Sequence, residues 1–562
     1  MLNSASEKTL GKLLAAGASA ITVFVLAGSV SDPVNATKFL LLGGVAVAGL
    51  AIFLSGGWSA IKDQRVVISI AGVFILASIN AVLNSSSPIQ QNIYGTYGRN
   101  TGFLTYLFLL FILISATSLR QKSSFRLIIY SLIFAGVVNV VYSLYALIFG
   151  DFIGWNNPYG NILGTFGNPN FIGAFLGFFT ASLVAFAITK GVSLKIRLLT
   201  AATSMVSVYE IIRSHAIQGR VVFAAGLAIV GFYLVHSKFK SKVILLTYSA
   251  GVFAAGLVAL LGALQIGPLT KFIYKTSVSL RGEYWQAGIN MAKNHLFTGV
   301  GFDSYGDWYR RSREASALIL PGPETITNAS HNVAIDVFAF GGLPLLLPYL
   351  ALIALVLVSI VRHTFKHREY DGVFVALTTA WLGYQIQSFI SINQIGLAIW
   401  GWLLGGAILA YTKSFDSGVG KAETSSGSKK SKKSSVQMFS PQLVGSLGAV
   451  VGLILSCPPI SADAKFQGAM KSSQVPNIEA ALVSTYLSPT DTFRLLNAVQ
   501  IFEQNKLFDL SYKYTKVAIL YNPESFDAWR NLSLIKNSTA EEKMNAKNKM
   551  ILLDPLNKDL KK

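Results

Sequence analysis

The feature that most constrains this chain is a succession of apolar runs of about 18 residues or more, each long enough to cross a bilayer as a helix. They fall near residues 13–30, 38–55, 66–84, 102–119, 127–149, 170–188, 198–212, 221–236, 243–265, 333–360, 373–391, 395–412 and 441–458. The runs are continuously apolar, whereas the strands of a membrane barrel alternate over about 10 residues. The expected fold is therefore all-α: a polytopic membrane helical bundle of about 12 spans plus one additional span. Composition agrees, because only 13% of the 562 residues are charged, against about 25% in a soluble domain. The seventh run is short, and a tilted or broken helix is expected there.

The formal net charge is +21. In a soluble protein that would suggest nucleic acid. Here much of the excess sits in short connections: Arg120, Lys122 and Arg126; Lys190, Lys195 and Arg197; Lys238, Lys240 and Lys242; Arg362, Lys366 and Arg368. Cytoplasmic loops of membrane proteins accumulate such residues, so the partner expected is the lipid bilayer and not nucleic acid. Placing these connections inside puts the N-terminus inside and the loops at 85–101, 150–169, 213–220 and 267–332 outside. The first run follows Lys8 and Lys12 without a convincing cleavage site, so it reads as a retained anchor. The single Cys457 excludes an intramolecular disulfide and reads as a helix-end cysteine.

Residues 1–412 form the expected membrane domain. Residues 413–440 are Ser/Gly/Lys-rich and read as a disordered cytoplasmic linker. Residues 441–458 carry the chain back out, and 461–562 form a polar, helix-patterned extracytoplasmic tail. Its punctuation at Pro489, Pro523 and Pro555 is spaced by 34 and 32 residues, close to the tetratricopeptide period. Ala528 and Trp529 suit small and large packing positions. A tail of this kind suggests a protein partner; the alternative is a generic helical tail.

The 267–332 loop is too long for a simple connector. It contains Arg281, with Trp285 one turn later, then Gly299-Val300-Gly301-Phe302, and ends at Ser330-His331-Asn332. A histidine at the membrane boundary can act as a base near neutral pH; the alternative is a capping segment, since Ser330 and Asn332 are good cap formers. Arg220 opens a span directly after Gly219, and Arg213 closes the preceding one. A guanidinium fork matches phosphate oxygens as lysine cannot, although interfacial arginines also snorkel. Arg310, Arg311 and Arg313 read as a solvated face or a lipid-headgroup contact. The glycine and asparagine segments Tyr94–Gly102 and Gly164–Asn170 are tight turns that could also contact a sugar. Metal-ligand spacings and phosphate-binding glycine loops are missing, so neither a metal nor a nucleotide cofactor is expected.

In order, Gly95-Thr96-Tyr97-Gly98-Arg99, Gly164-Thr165-Phe166-Gly167-Asn168-Pro169-Asn170, Gly219-Arg220, Arg281…Trp285, Gly299-Val300-Gly301 and His331-Asn332 resemble the O-antigen ligase and polymerase superfamily. The resemblance covers about residues 1–412 and is most specific over 219–342. It implies a glycosyltransferase of the bacterial cytoplasmic membrane. The donor would be a polyprenyl-pyrophosphate-linked glycan, and the acceptor a lipid, glycan or protein hydroxyl outside that membrane. By motif position, Arg220 and Arg281 would hold the pyrophosphate and His331 would act as base or acceptor-orienting group, with inversion of the anomeric centre. Arg99, Asn168, Asn170, Arg213, Trp285 and Asn332 are the corresponding candidate substrate contacts, Asn332 by orienting the histidine. The family's usual Ser-Arg-Gly is here Gln218-Gly219-Arg220-Val221, which leaves Arg213 as an alternative first arginine. Readings of other classes are a multi-span transporter of lipid-linked or small solutes, or an anchored scaffold. Against transport, the spans hold almost no charge apart from Glu210 and Asp336.

Overall fold

The computed structural model describes residues 2–154, 157, 160–267, 270–273, 276–416 and 439–561. Each of the thirteen apolar runs falls on a helix, although in the run at 13–30 the helix ends at Val23. In chain order these are α1 (Ser4–Val23), α2 (Asn35–Leu54), short α3 (Gly57–Asp63), α4 (Arg65–Leu83), short α5 (Ile89–Tyr94), α6 (Phe103–Ala116), α7 (Lys122–Phe149), α8 (Pro169–Ala187), α9 (Leu194–Arg213), α10 (Ile217–Lys238) and α11 (Lys242–Ala263). Next come α12 (Thr270–Ile273), α13 (Thr276–Asn294) and α14 (Tyr305–Ser312), then the long helices α15 (Val333–Lys366), α16 (Gly372–Ile390), α17 (Ile395–Asp416) and α18 (Pro441–Ser472). The tail holds α19 (Val475–Leu482), α20 (Thr492–Gln504), α21 (Phe508–Tyr521), α22 (Phe526–Leu534) and α23 (Ala540–Leu553). Among the described residues the only β pairing is the isolated Thr485–Ser488 bridge, so the chain is an all-helical polytopic membrane protein.

Ten of these helices are long and apolar enough to cross a membrane. The three others among the expected spans differ for local reasons. α1 carries Glu7, Lys8 and Lys12, α6 has only 14 residues, and α9 is longer than its apolar run but more polar. α8 and α17 lie in the middle of the bundle, whereas none of α11's apolar window is covered by protein, as befits a lipid-facing helix. Lys38, in α2, is a third enclosed charge besides Glu210 and Asp336. Its Nζ donates to the Ile21 and Thr22 carbonyls at 2.9 and 2.5 Å, closing the C-terminus of α1.

The two ends of the bundle are distinct. At one, Asp63 pairs with Arg120 at 2.6 Å and Lys413 at 2.7 Å, and Arg368 donates to the carbonyls of His236 and Phe239. The basic connections gather there. At the other end Asp463 accepts from the Asp32 amide and the Tyr97 hydroxyl, tying the tail to two loops.

α18 packs on α2 through small residues; a Cβ on Gly452 would stand 2.1 Å from the Gly43 carbonyl oxygen. It runs on to Ser472, so Cys457 lies inside a helix and not at its end, and the expected boundary at 458–461 falls within that helix. Beyond it, α20/α21 and α22/α23 form two helical hairpins. Pro489, Pro523 and Pro555 stand at the hairpin ends, where the chain must leave a helix. Ala528 is fully buried, and the Trp529 indole donates to the Pro523 carbonyl. Most of the linker, residues 417–438, lies outside the described residues.

The 267–332 segment is largely helical, and its arginine cluster is not a solvated or headgroup-facing surface. Arg313 reaches both Asp554 oxygens at 2.8 Å, and both side chains are fully buried. Arg310 adds a 3.2 Å bond to Asp554 and lies over the Phe526 ring at 4.1 Å. Arg311 pairs with Glu524. The cluster is the seat of the C-terminal hairpins.

α15, expected as an unbroken span, is interrupted at Gly341 and Gly342. The groups freed by the break are taken by the 296–301 segment. The Val300 amide donates to the Ala339 carbonyl at 2.8 Å, Gly301 to Phe340 at 3.0 Å, and the Leu343 amide donates back to Leu296 at 2.8 Å. Backbone leaves a helix inside a membrane protein only where protein re-satisfies it in this way. Gly299 has φ +64°, and a Cβ there would stand 2.2 Å from the Phe340 oxygen. Gly98 has a comparable φ of +76° but open space around it. Gly98→Ala should therefore carry only the backbone penalty, about 1 kcal/mol. Gly299→Ala should lose several degrees more in thermal midpoint in detergent; equal shifts for the two would contradict the clasp.

Candidate functional site

The clasp positions the site. Two residues after Gly301, Asp303 accepts from the Thr96 and Thr101 amides at 2.8 and 3.3 Å and from the Thr101 hydroxyl at 2.9 Å. These bonds hold the Gly95–Gly102 turn, and with it Arg99. At the mouth of α15, Asn332 caps the helix, its oxygen accepting from the Ala334 and Ile335 amides at 3.0 and 3.2 Å. Asp336, one turn in, accepts from the Ser330 amide and hydroxyl, both at 2.7 Å. Between these anchors His331 takes a left-handed φ of 62°. Its ring stacks on Tyr284 of α13 with centroids 5.6 Å apart.

Arg281 lies one turn before Tyr284 on α13. Burial, then the positive charges of Arg281 and Arg99, push His331 down to about 4, so its ring is neutral at physiological pH. Burial also lowers Arg281. Among the described residues neither guanidinium has a hydrogen-bonding or ion-pair partner, nor does the His331 ring. The contrast with Arg310, Arg311 and Arg313, all paired, is direct. Two cations without an ion-paired carboxylate among the described residues, beside a partly exposed neutral imidazole, form an anion-attracting centre with a hydrogen-bond acceptor at its edge, although the charge of Arg99 also acts on Asp336.

The structure thus brings together Arg99, Arg281 and His331, with Trp285 beside them, where it packs on Phe389 at 5.6 Å. Arg220 and Arg213 do not join this group. Both are exposed at the ends of α10 and α9, and Arg220 donates only to the Ile212 carbonyl at 3.4 Å. Both of the helices concerned meet α16: Val222 of α10 lies against Gly383, and Trp285 of α13 packs on Phe389. Gly219 is needed for close packing, since a Cβ there would stand 2.7 Å from the Gly173 carbonyl. Asn168 caps α8, and the Asn170 carbonyl accepts from Gln218. Asn332's oxygen is committed to the cap, so it fixes the segment that carries His331 and makes no bond to the ring.

Three contributors escaped sequence reasoning: Tyr284 as the stacking surface, Asp303 as the anchor of the Arg99 turn, and Asp336 as the anchor of Ser330. Only Asp336 left a visible signal, a carboxylate in an apolar run. Among the described residues no three metal-ligating side chains come together.

An all-helical polytopic membrane protein with a cationic, histidine-bearing centre at one end is the class that fold and site define. Residues 211–350, which include Arg281 and His331, match the family model described as O-Antigen ligase. Over these residues the chain is similar to the O-antigen ligase family, and that similarity supports a glycosyltransferase-type membrane enzyme at a coarse level. Among curated proteins none matches the chain.

If neighbouring charge depresses His331, Arg281→Gln should raise its titration midpoint from about 4 towards the ordinary value near 6.5. Histidine-labelled protein in micelles, with the resonance assigned by its loss in His331→Gln, measures this by NMR. A midpoint unmoved by Arg281→Gln would show that the two groups do not interact.

Proposed function

We propose that the chain transfers a glycan from a polyprenyl-pyrophosphate carrier to an acceptor hydroxyl, outside the cytoplasmic membrane, at the centre formed by Arg99, Arg281 and His331. The observation that carries this reading is a pair of guanidiniums, unpartnered among the described residues, beside a neutral histidine. Pyrophosphate is already a good leaving group, so the main task is to stabilise the charge that grows on it as the anomeric C–O bond breaks. Preorganised cations in a water-poor site are suited to that task. His331 accepts the acceptor's proton as its oxygen bonds to the anomeric carbon, and attack opposite the leaving group inverts that centre. A base near 4 is weak, but the bound diphosphate neutralises the arginines that depress it. Donor binding therefore raises the basicity of His331 when it is needed. Arg220, exposed on α10 and outside this centre, meets another part of the donor. The outer face of the bundle is the end carrying His331, because the opposite end gathers the basic connections.

Purified protein supplied with a polyprenyl-pyrophosphate oligosaccharide and separate lipid, glycan and protein acceptors tests the reading and identifies the acceptor. Arg281→Ala should lower transfer by roughly 100-fold or more, and His331→Ala by roughly 100- to 10,000-fold. Arg281→Lys should also lose most activity, because a point charge cannot replace the fork. Full transfer by folded Arg281→Ala and His331→Ala would sink the mechanism, and solute flux without glycan product would indicate transport.

A further inference from the structure

The outer face of the bundle and the C-terminal hairpins enclose a cavity of about 250 Å³. It lies just under the roughly 300 Å³ at which small-ligand sites begin. Its wall carries the Tyr97 and Phe493 rings, stacked with centroids 4.4 Å apart and 3° between planes, together with Tyr94 and Phe526. Among the described residues, two polar groups on the wall have no partner. Asn100 is only 5% exposed, yet its side-chain amide makes no hydrogen bond, and the Asp527 carboxylate makes neither a hydrogen bond nor an ion pair. An amide and a carboxylate that reach a cavity without protein partners are open to hydrogen-bond a ligand there.

We propose that this cavity binds one or two sugar rings of the glycan handled at His331, and that the C-terminal domain serves to close it. The inference rests on the glycan-transfer reading above. A pyranose presents C–H groups on its faces and hydroxyls on its rim; the aromatic wall suits the first, and the free amide and carboxylate suit the second. The wall holds six aspartates and two arginines. Both arginines are occupied, Arg310 by Asp554 and Arg494 by Asp491, so the cavity favours uncharged or amine-bearing sugars and disfavours acidic ones. Tyr97 and Asn100 flank Arg99 in one turn. A sugar held against them is therefore tethered to the element whose charge acts on His331. The Arg313–Asp554 pair keeps the hairpins seated over the cavity.

Saturation-transfer NMR on the full-length protein in nanodiscs tests this, with chitobiose, the corresponding glucosamine disaccharide, digalacturonate and a Ser/Thr-rich decapeptide as probes. The first two should receive saturation and digalacturonate should not. Phe493→Ala and Asp527→Asn, at surface-reaching positions, should each weaken the signal about five- to tenfold with unchanged thermal midpoint. Asn100→Asp, which keeps a residue tolerant of the left-handed backbone, should alter the preference between the two accepted sugars. His331→Ala should bind as the wild type does. Sugar binding indifferent to Phe493→Ala and Asp527→Asn, no sugar binding, or binding of the peptide alone would overturn the proposal. Because binding is read without turnover, the cavity stands if these effects appear in a protein that transfers no glycan. It falls if transfer proceeds and they do not appear.

Discussion

The break in α15 is the constraint on which the rest of the structure depends. At Gly341 and Gly342 a membrane helix gives up its own hydrogen bonds, and in lipid each unsatisfied group costs several kcal/mol. The 296–301 segment supplies the missing partners, and its close approach demands glycine at 299. Once the segment is locked there, Asp303 follows at a fixed place and holds the Arg99 turn. The first turns of the same helix carry Asp336, which holds Ser330 and so presents His331. Arg99 and His331, more than 200 residues apart in sequence, are thus placed by one junction.

The second theme is where positive charge is paired and where it is left open. Arg310, Arg311 and Arg313 are matched with Asp554 and Glu524 and fasten a domain. Arg99 and Arg281 make no ion pair among the described residues, and their charge helps keep the adjacent histidine neutral. Leaving two guanidiniums unpaired in a partly desolvated place destabilises the empty protein, and an anionic ligand reverses that. The same coupling runs both ways, since a ligand that relieves the arginines also raises the basicity of His331.

Much of the fold was legible in the sequence because bilayer thickness sets helix length directly. Each of the thirteen apolar runs falls on a helix, and the tail's prolines mark hairpin ends. What was not legible depended on partners far along the chain or on breaks that leave hydrophobicity unchanged. The run after Val333 stays apolar through Gly341 and Gly342, so its interruption is invisible to hydropathy. The arginines at 310–313 look solvated until Asp554, 241 residues from Arg313, is brought to them. In the site, residue type and position drew attention to Arg281 and His331. The cationic companion whose charge reaches His331 is nevertheless Arg99 and not Arg220.

The central claim is that Arg99, Arg281 and His331 form a single pyrophosphate-binding centre. The most direct measurement is a cryo-electron microscopy structure of the full-length protein in nanodiscs with a polyprenyl pyrophosphate bound. Diphosphate density should bridge the Arg99 and Arg281 guanidiniums, with the first sugar position facing His331. Diphosphate seated at Arg213 and Arg220, with Arg99 and Arg281 still unpartnered, would contradict it.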